Sequence, residues 1–133
     1  MFNAEYLLFC AGKAVDENGN LSLHGIFDRL YAESFPAQHR PFKAVFKLTA
    51  IKPVLDKHVN LKIILHLEDK EISVFQGDLH TTIEKGNALV PDADLSQFVF
   101  PTAGTYKVSL YVNDRKLIER NLLVAAIDAL VEK

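Results

Sequence analysis

The chain has little of what small secreted or reactive domains are built on. Among its 133 residues there is one cysteine, Cys10, and no tryptophan. A single cysteine excludes an internal disulfide and cannot open a paired-cysteine zinc site, which fits a reducing compartment. Charge of one sign is missing too: the formal net charge is −2, with lysine and arginine scattered rather than gathered into a stripe. Without a basic stripe to neutralise phosphates, nucleic acid is not an expected partner. No apolar run reaches the length of a membrane-spanning helix. The apolar start lacks a positive leader, carries Glu5, and its greasy stretch at 6–11 is too short for a signal peptide. Phe9 stands where a lipoprotein cleavage site wants a small residue. The expected address is cytoplasmic, with no membrane partner. The six glycines are spread singly, and neither a dinucleotide-binding G-x-G-x-x-G nor a G-K-[ST] phosphate loop occurs.

What is present is core-forming material, 49% hydrophobic against 24% charged, so the whole chain is expected to fold. Its pattern has a period of two. Val59, Leu61, Ile63, Leu65 and Leu67 point one way while Asn60, Lys62, Ile64, His66 and Glu68 point the other, the signature of a half-buried antiparallel strand. Tyr106, Val108, Leu110 and Val112 repeat the pattern, as do Phe42, Ala44, Phe46, Leu48 and Ala50. Turn residues fall between such runs at Asn18 and Gly19, Asp69 and Lys70, Gly86 and Asn87, and Asn113 and Asp114. Strands are therefore expected at about 4–14, 21–32, 42–51, 58–68, 71–79, 95–99, 104–112 and 115–124. The fold class is all-β: a two-sheet, immunoglobulin-like antiparallel sandwich of seven to eight strands over 1–124, with a tail or short helix over 125–133 where Ile127, Leu130 and Val131 fall at helical spacing. Residues 6–11 have apolar side chains on both faces, read either as a plain core strand or as a sheet surface covered by another subunit.

Reactive clusters are hard to find. No two of His24, His39, His58, His66 and His80 are closer than eight residues in the chain, so a metal site would need convergence from separate strands. Cys10 lies in an apolar run that favours an inert thiol. The stretch Asp16-Glu17-Asn18-Gly19-Asn20 resembles the opening of a calcium loop but lacks the closing glutamate, and a hairpin turn accounts for it. Asp78, Asp92 and Asp94 would form an acidic cluster only if their loops met. No catalytic, metal or cofactor site is expected, and the protein is not expected to be an enzyme.

Two segments are more informative. In residues 25–30 an acid and a base, Asp28 and Arg29, interrupt an apolar run after Gly25, so at least one charge is expected against apolar neighbours, where it needs a partner. Residues 34–41 carry two prolines and suit a crossover between sheets, with Phe35, His39 and Arg40 as an exposed aromatic and cationic rim for a ligand or partner. Later, Gly104 and Tyr106 after Pro101 have the spacing of a tyrosine corner, in which the tyrosine hydroxyl bonds back to the preceding loop.

The runs Asn18-Gly19-Asn20-Leu21-Ser22-Leu23-His24-Gly25-Ile26-Phe27-Asp28-Arg29-Leu30, Ser34-Phe35-Pro36 and Phe100-Pro101-Thr102-Ala103-Gly104-Thr105-Tyr106 resemble a bacterial domain family of unknown function across residues 5–124. The resemblance implies a β-sandwich and a bacterial source, and no activity. The function expected is a non-catalytic protein–protein interaction module, either a homodimer or a binder of another protein; the alternative is a small-ligand or carbohydrate-binding sandwich, although sugar platforms favour exposed tryptophan or tyrosine.

Overall fold

The computed structural model describes residues 2–18, 20–38, 42–51, 54–83 and 88–127. The chain opens with β1 (Phe2–Cys10), bends at Ala11 and continues as a hairpin of β2 (Gly12–Val15) and β3 (Leu21–His24). A crossover leads to β4 (Arg29–Ala32), and the short β5 (Ala37–Gln38) precedes β6 (Lys43–Ala50). Two 14-residue strands, β7 (Val54–Leu67) and β8 (Lys70–Ile83), make the longest hairpin. After β9 (Ala88–Leu89), β10 (Asp92–Asp94) and β11 (Val99–Phe100), the closing hairpin is β12 (Gly104–Val112) and β13 (Arg115–Ala126).

The first sheet has the order β1-β6-β10, with β9 also on β6; the second has the order β4-β13-β12-β7-β8. Alternation along the strands turns one side of each sheet toward the other. Leu7, Phe9, Phe46 and Leu48 of the first sheet and Ile63, Leu65, Val108, Leu110 and Leu122 of the second share one buried cluster. Each such side chain contributes about 1.5–3 kcal/mol relative to exposure. The period-two runs thus form strands whose apolar sides close on each other.

The chain is all-β, but its strands are cut into thirteen segments among the described residues rather than seven or eight, and β4 pairs with β13 in parallel. The expected strand 21–32 breaks at Gly25, whose φ of +63° is open to glycine and where a Cβ would lie 3.2 Å from the Ala11 Cβ. Past this bend the chain changes sheets within two residues. The Phe27 N–H donates to the Phe9 carbonyl in the first sheet at 2.9 Å, and the Asp28 carbonyl accepts from the Leu123 N–H in the second at 3.1 Å.

Turn chemistry sets the hairpins. Asn113 and Asp114 both have positive φ (51° and 67°), the conformation of a two-residue type I′ turn that matches strand twist. Asn113 also completes β7 where that strand outruns β12: its Oδ1 accepts the Asn60 N–H at 3.0 Å, and its own N–H donates to the Asn60 carbonyl at 2.9 Å. Asp16 Oδ1 accepts the N–H groups of Asn18 and Asn20 at 2.9 and 2.8 Å, so the stretch resembling a calcium loop works as an Asx turn. Tyr106 is fully buried, and its hydroxyl donates to the Thr102 carbonyl at 2.6 Å and accepts the Thr102 N–H at 3.3 Å, the geometry of a tyrosine corner. A Cβ at Gly104 would sit 3.1 Å from Leu67 Cδ1.

At the C-terminus β13 continues through Ala126, two residues past the expected boundary. Residues 125–126 are strand where a helix was considered, and 128–133 lie outside the described residues. Among the described residues no helix is long and apolar enough to cross a membrane.

Candidate functional site

A sheet ends in strands with one row of backbone N–H and C=O groups facing outward, and these groups recruit a further strand unless something blocks them. The two sheets differ in how their ends are treated. On the first, β1 is interrupted by a bulge at Glu5, the Leu7 carbonyl accepts from Arg120 Nη1 at 3.3 Å, and the Phe9 carbonyl is taken by Phe27. The opposite end is β10, only three residues long. On the second sheet the β4 end has four residues. The remaining end is β8, which among the described residues has a ladder with β7 alone.

β8 carries few of the usual blocks. Its pairing slips near Ile72 and again beyond Thr81, and between these it runs in register from Leu65 opposite Ser73 to Lys57 opposite Thr81. Residues 72–77, Ile-Ser-Val-Phe-Gln-Gly, hold neither a charge nor a proline. Val74, on the outer face beside Ile64, is 41% exposed. The first charges on either side are Glu71 and Lys70 before the window and Asp78 after it, all exposed.

Room lies beside this edge. A groove of about 520 Å³ separates residues 73–76 from the loop 94–98, with buried Phe98 at its base. The loop is held in shape: Asp94 Oδ1 accepts the Ser96 N–H at 2.9 Å, the Ser96 carbonyl accepts from Gln38 Nε2 at 2.8 Å, and the Phe98 N–H donates to the Leu95 carbonyl at 3.0 Å. The backbone N–H of Ser96, then its hydroxyl, hold the Asp94 carboxyl below its ordinary range. The groove thus combines a row of backbone groups unpaired among the described residues with one fixed anionic wall.

The expected contact residues do not converge on it. Asp28 and Arg29 were expected to set a charge against apolar neighbours. Instead they pair with each other at 3.6 Å with side chains 63% and 55% exposed, where the chain enters β4 after the bend at Gly25. Phe35 was expected on an exposed rim; it is half-buried and packs against the core. His39 and Arg40 lie outside the described residues. Of the three aspartates, Asp78 accepts from Asn60 Nδ2 at 3.3 Å on the second sheet, whereas Asp92 and Asp94 sit on β10 of the first. Among the described residues no three His, Cys, Asp or Glu side chains form a group suited to a metal ion. In the backbone ladder His58 stands opposite His80.

Cys10 is fully buried on β1, and burial pushes its thiol above the ordinary range. Above it Lys13 donates to the Val90 carbonyl at 3.0 Å and pairs with Asp92 at 3.1 Å, while Lys43 takes the other oxygen of Asp92 at 3.0 Å. Partial burial works against the Asp92 carboxylate, but the bonds from Lys43 and Lys13 outweigh it and its pKa falls. The trio ties the β2–β3 hairpin to β10.

A second hollow, of about 400 Å³, lies where Leu30, Phe100 and Val124 floor the space under residues 31–38. Sequence reasoning found neither hollow. The one signal pointing to the edge was the uncharged window 72–77 inside an otherwise charge-flanked strand.

No curated protein matches the chain. A family model does match, over residues 5–125, a span that takes in both sheets, the crossover and the tyrosine corner; the chain belongs to that family, described as a family of unknown function (DUF6941).

Proposed function

We propose that the protein is a non-catalytic protein–protein interaction module that works by strand addition at β8. The observation that carries this reading is the contrast among sheet ends: two are short, β1 is capped along its outer edge, and the fourth is long, in register from Ser73 to Thr81, uncharged from 72 to 77 and flanked by a groove. In strand addition, main-chain hydrogen bonds along the edge supply affinity, and side-chain pockets beside it supply selectivity. Here Phe98 and the loop 94–98 would line that pocket.

The test uses the whole chain, immobilised, and a displayed library of random heptapeptides. Extended peptides are expected to be selected, and hydrogen exchange in the bound state is expected to slow at every second amide between residues 73 and 79. Failure to select any peptide, or slowing confined to another surface, overturns the proposal.

The 400 Å³ hollow favours a second reading, a small-ligand or carbohydrate site. Its volume falls within the range of small-molecule sites, and buried Leu30, Phe100 and Val124 give it an apolar floor. A thermal-shift screen across sugars, nucleotides and metals decides it: a ligand at about 100 times its Kd stabilises the native state by about 2.7 kcal/mol, and a flat screen removes the reading.

A further inference from the structure

We infer that the strand received by β8 comes from a basic partner: an extended segment whose groove-facing side chains include a lysine or arginine two residues from an apolar one. This rests on the strand-addition reading and names its partner. Ser73, Phe75 and Gly77 stand opposite Leu65, Ile63 and Leu61, whose side chains are buried, so these β8 positions face the first sheet. Residues of an added strand beside them point the same way, into the groove between 73–76 and the loop 94–98. Successive groove-facing side chains of that strand lie about 7 Å apart, twice the rise per residue. What they meet is set by the groove's lining: Phe75 and Phe98 give it apolar surface, and Asp94 is its one charged residue among those described.

The charge on that wall is held ready. The Ser96 N–H donates to Asp94 Oδ1 at 2.9 Å, and Lys43, the cation that acts on Asp94, is committed to Asp92 at 3.0 Å. Among the described residues Asp94 therefore forms no ion pair of its own. The ends of the edge add charge of the same sign, since Glu71 precedes the uncharged window and Asp78 follows it, against Lys70 alone. A cation on the incoming strand is attracted along the approach and at the wall, whereas an acidic strand is repelled at both. Once seated, that cation has Asp94 as its partner, and the apolar residue two positions away covers Phe75 and Phe98. On the outer face, exposed Val74 suits a β-branched neighbour.

Three labelled peptides test the charge on the whole chain by fluorescence anisotropy: Thr-Val-Thr-Lys-Thr-Val-Thr, capped at both ends, and the same peptide with Gln or Glu in place of Lys. The central residue has valine two positions away on both sides, so either strand direction serves. The Lys peptide is expected to bind roughly threefold tighter than the Gln peptide and roughly tenfold tighter than the Glu peptide, and the differences should shrink from about 50 to about 500 mM salt. Asp94→Asn, which can still accept the Ser96 N–H, is expected to level the three, and Asp94→Lys to reverse their order. Equal affinities in the wild type, a preference that salt leaves untouched, or an unchanged order in Asp94→Lys overturns the inference. A peptide-free chain that sediments as a dimer and binds no peptide gives the edge to a second copy and overturns it too. If the three peptides protect β8 equally from hydrogen exchange, the basic partner is removed and strand addition stands; if neither they nor any library peptide binds there, both fall.

Discussion

Two long strands bound the sandwich, β1 on the first sheet and β8 on the second, and the chain treats them in opposite ways. β1 is bound into the molecule through both faces and its outer edge: Leu7 and Phe9 enter the core, Cys10 is buried, and Arg120 and Phe27 occupy the outward carbonyls of Leu7 and Phe9. β8 gives the core a half-buried Phe75 and Ile72, and among the described residues no strand pairs with its outer edge. The difference teaches where stability and recognition are separated. Groups needed for the native state are satisfied internally at β1, and in the reading proposed above those left for another chain are concentrated at β8.

Substitutions in β1 should produce the largest losses. Phe9→Ala removes a fully buried ring that lies 6.3 Å from Phe27 and 6.4 Å from Phe42, and is expected to cost about 3–5 kcal/mol in urea unfolding. A loss no larger than that of a surface change would break the comparison at its first term. Arg120→Met keeps much of the side-chain volume but removes the donor to the Leu7 carbonyl. A cost of about 1–2 kcal/mol is expected, with faster amide exchange in β1 than in the wild type. No change in either quantity would mean that the guanidinium does not guard this edge.

The Asp92 pairs that tie down the hairpin after β1 contribute less, and the contribution depends on pH. The folded-state pKa of Asp92 lies below its unfolded value, so the stabilisation is complete above the unfolded value, about 3.9, and is lost as pH falls through the folded one. Asp92→Asn should therefore unfold earlier in urea than the wild type at pH 7, by less than about 1 kcal/mol because the pair is screened by solvent, and the gap should close near pH 2. A gap that persists undiminished in acid would assign the effect to packing rather than charge.

The same contrast explains what could be read from the sequence. The runs 59–67 and 106–112 show their inward faces directly, since a strand's alternation is local and burial enforces it: Val59, Leu61, Ile63, Leu65, Tyr106, Val108, Leu110 and Val112 are all buried. The tyrosine corner is equally local, four residues from Thr102 to Tyr106. By contrast, the break at Gly25 was hidden, because residues 21–24 and 26–32 on either side of it read as one strand while the backbone changes sheets. Phe35 looked like a rim residue because the segment is rich in proline, but only the tertiary fold shows that its ring turns inward. That β8 forms an edge is a property of sheet order, set by contacts between strands far apart in sequence. The pattern within 71–79 predicts a strand and is silent on which neighbours it has.

The smallest change in monomer stability should come from the residue on which recognition is proposed to turn. Val74→Lys places a charge on the outer face of β8, where the side chain is already exposed. In a monomeric sample the urea midpoint should stay within about 0.5 kcal/mol of the wild type. The same charge is one of the devices by which natural sheets refuse an added strand, so peptide binding at β8 should weaken by roughly tenfold or more. The two readouts must separate for the comparison to hold. If Val74→Lys unfolds the monomer as Phe9→Ala does, β8 is a structural element like β1 and its openness has no functional meaning. Should stability and binding both stay unchanged, recognition lies on some other surface of the sandwich.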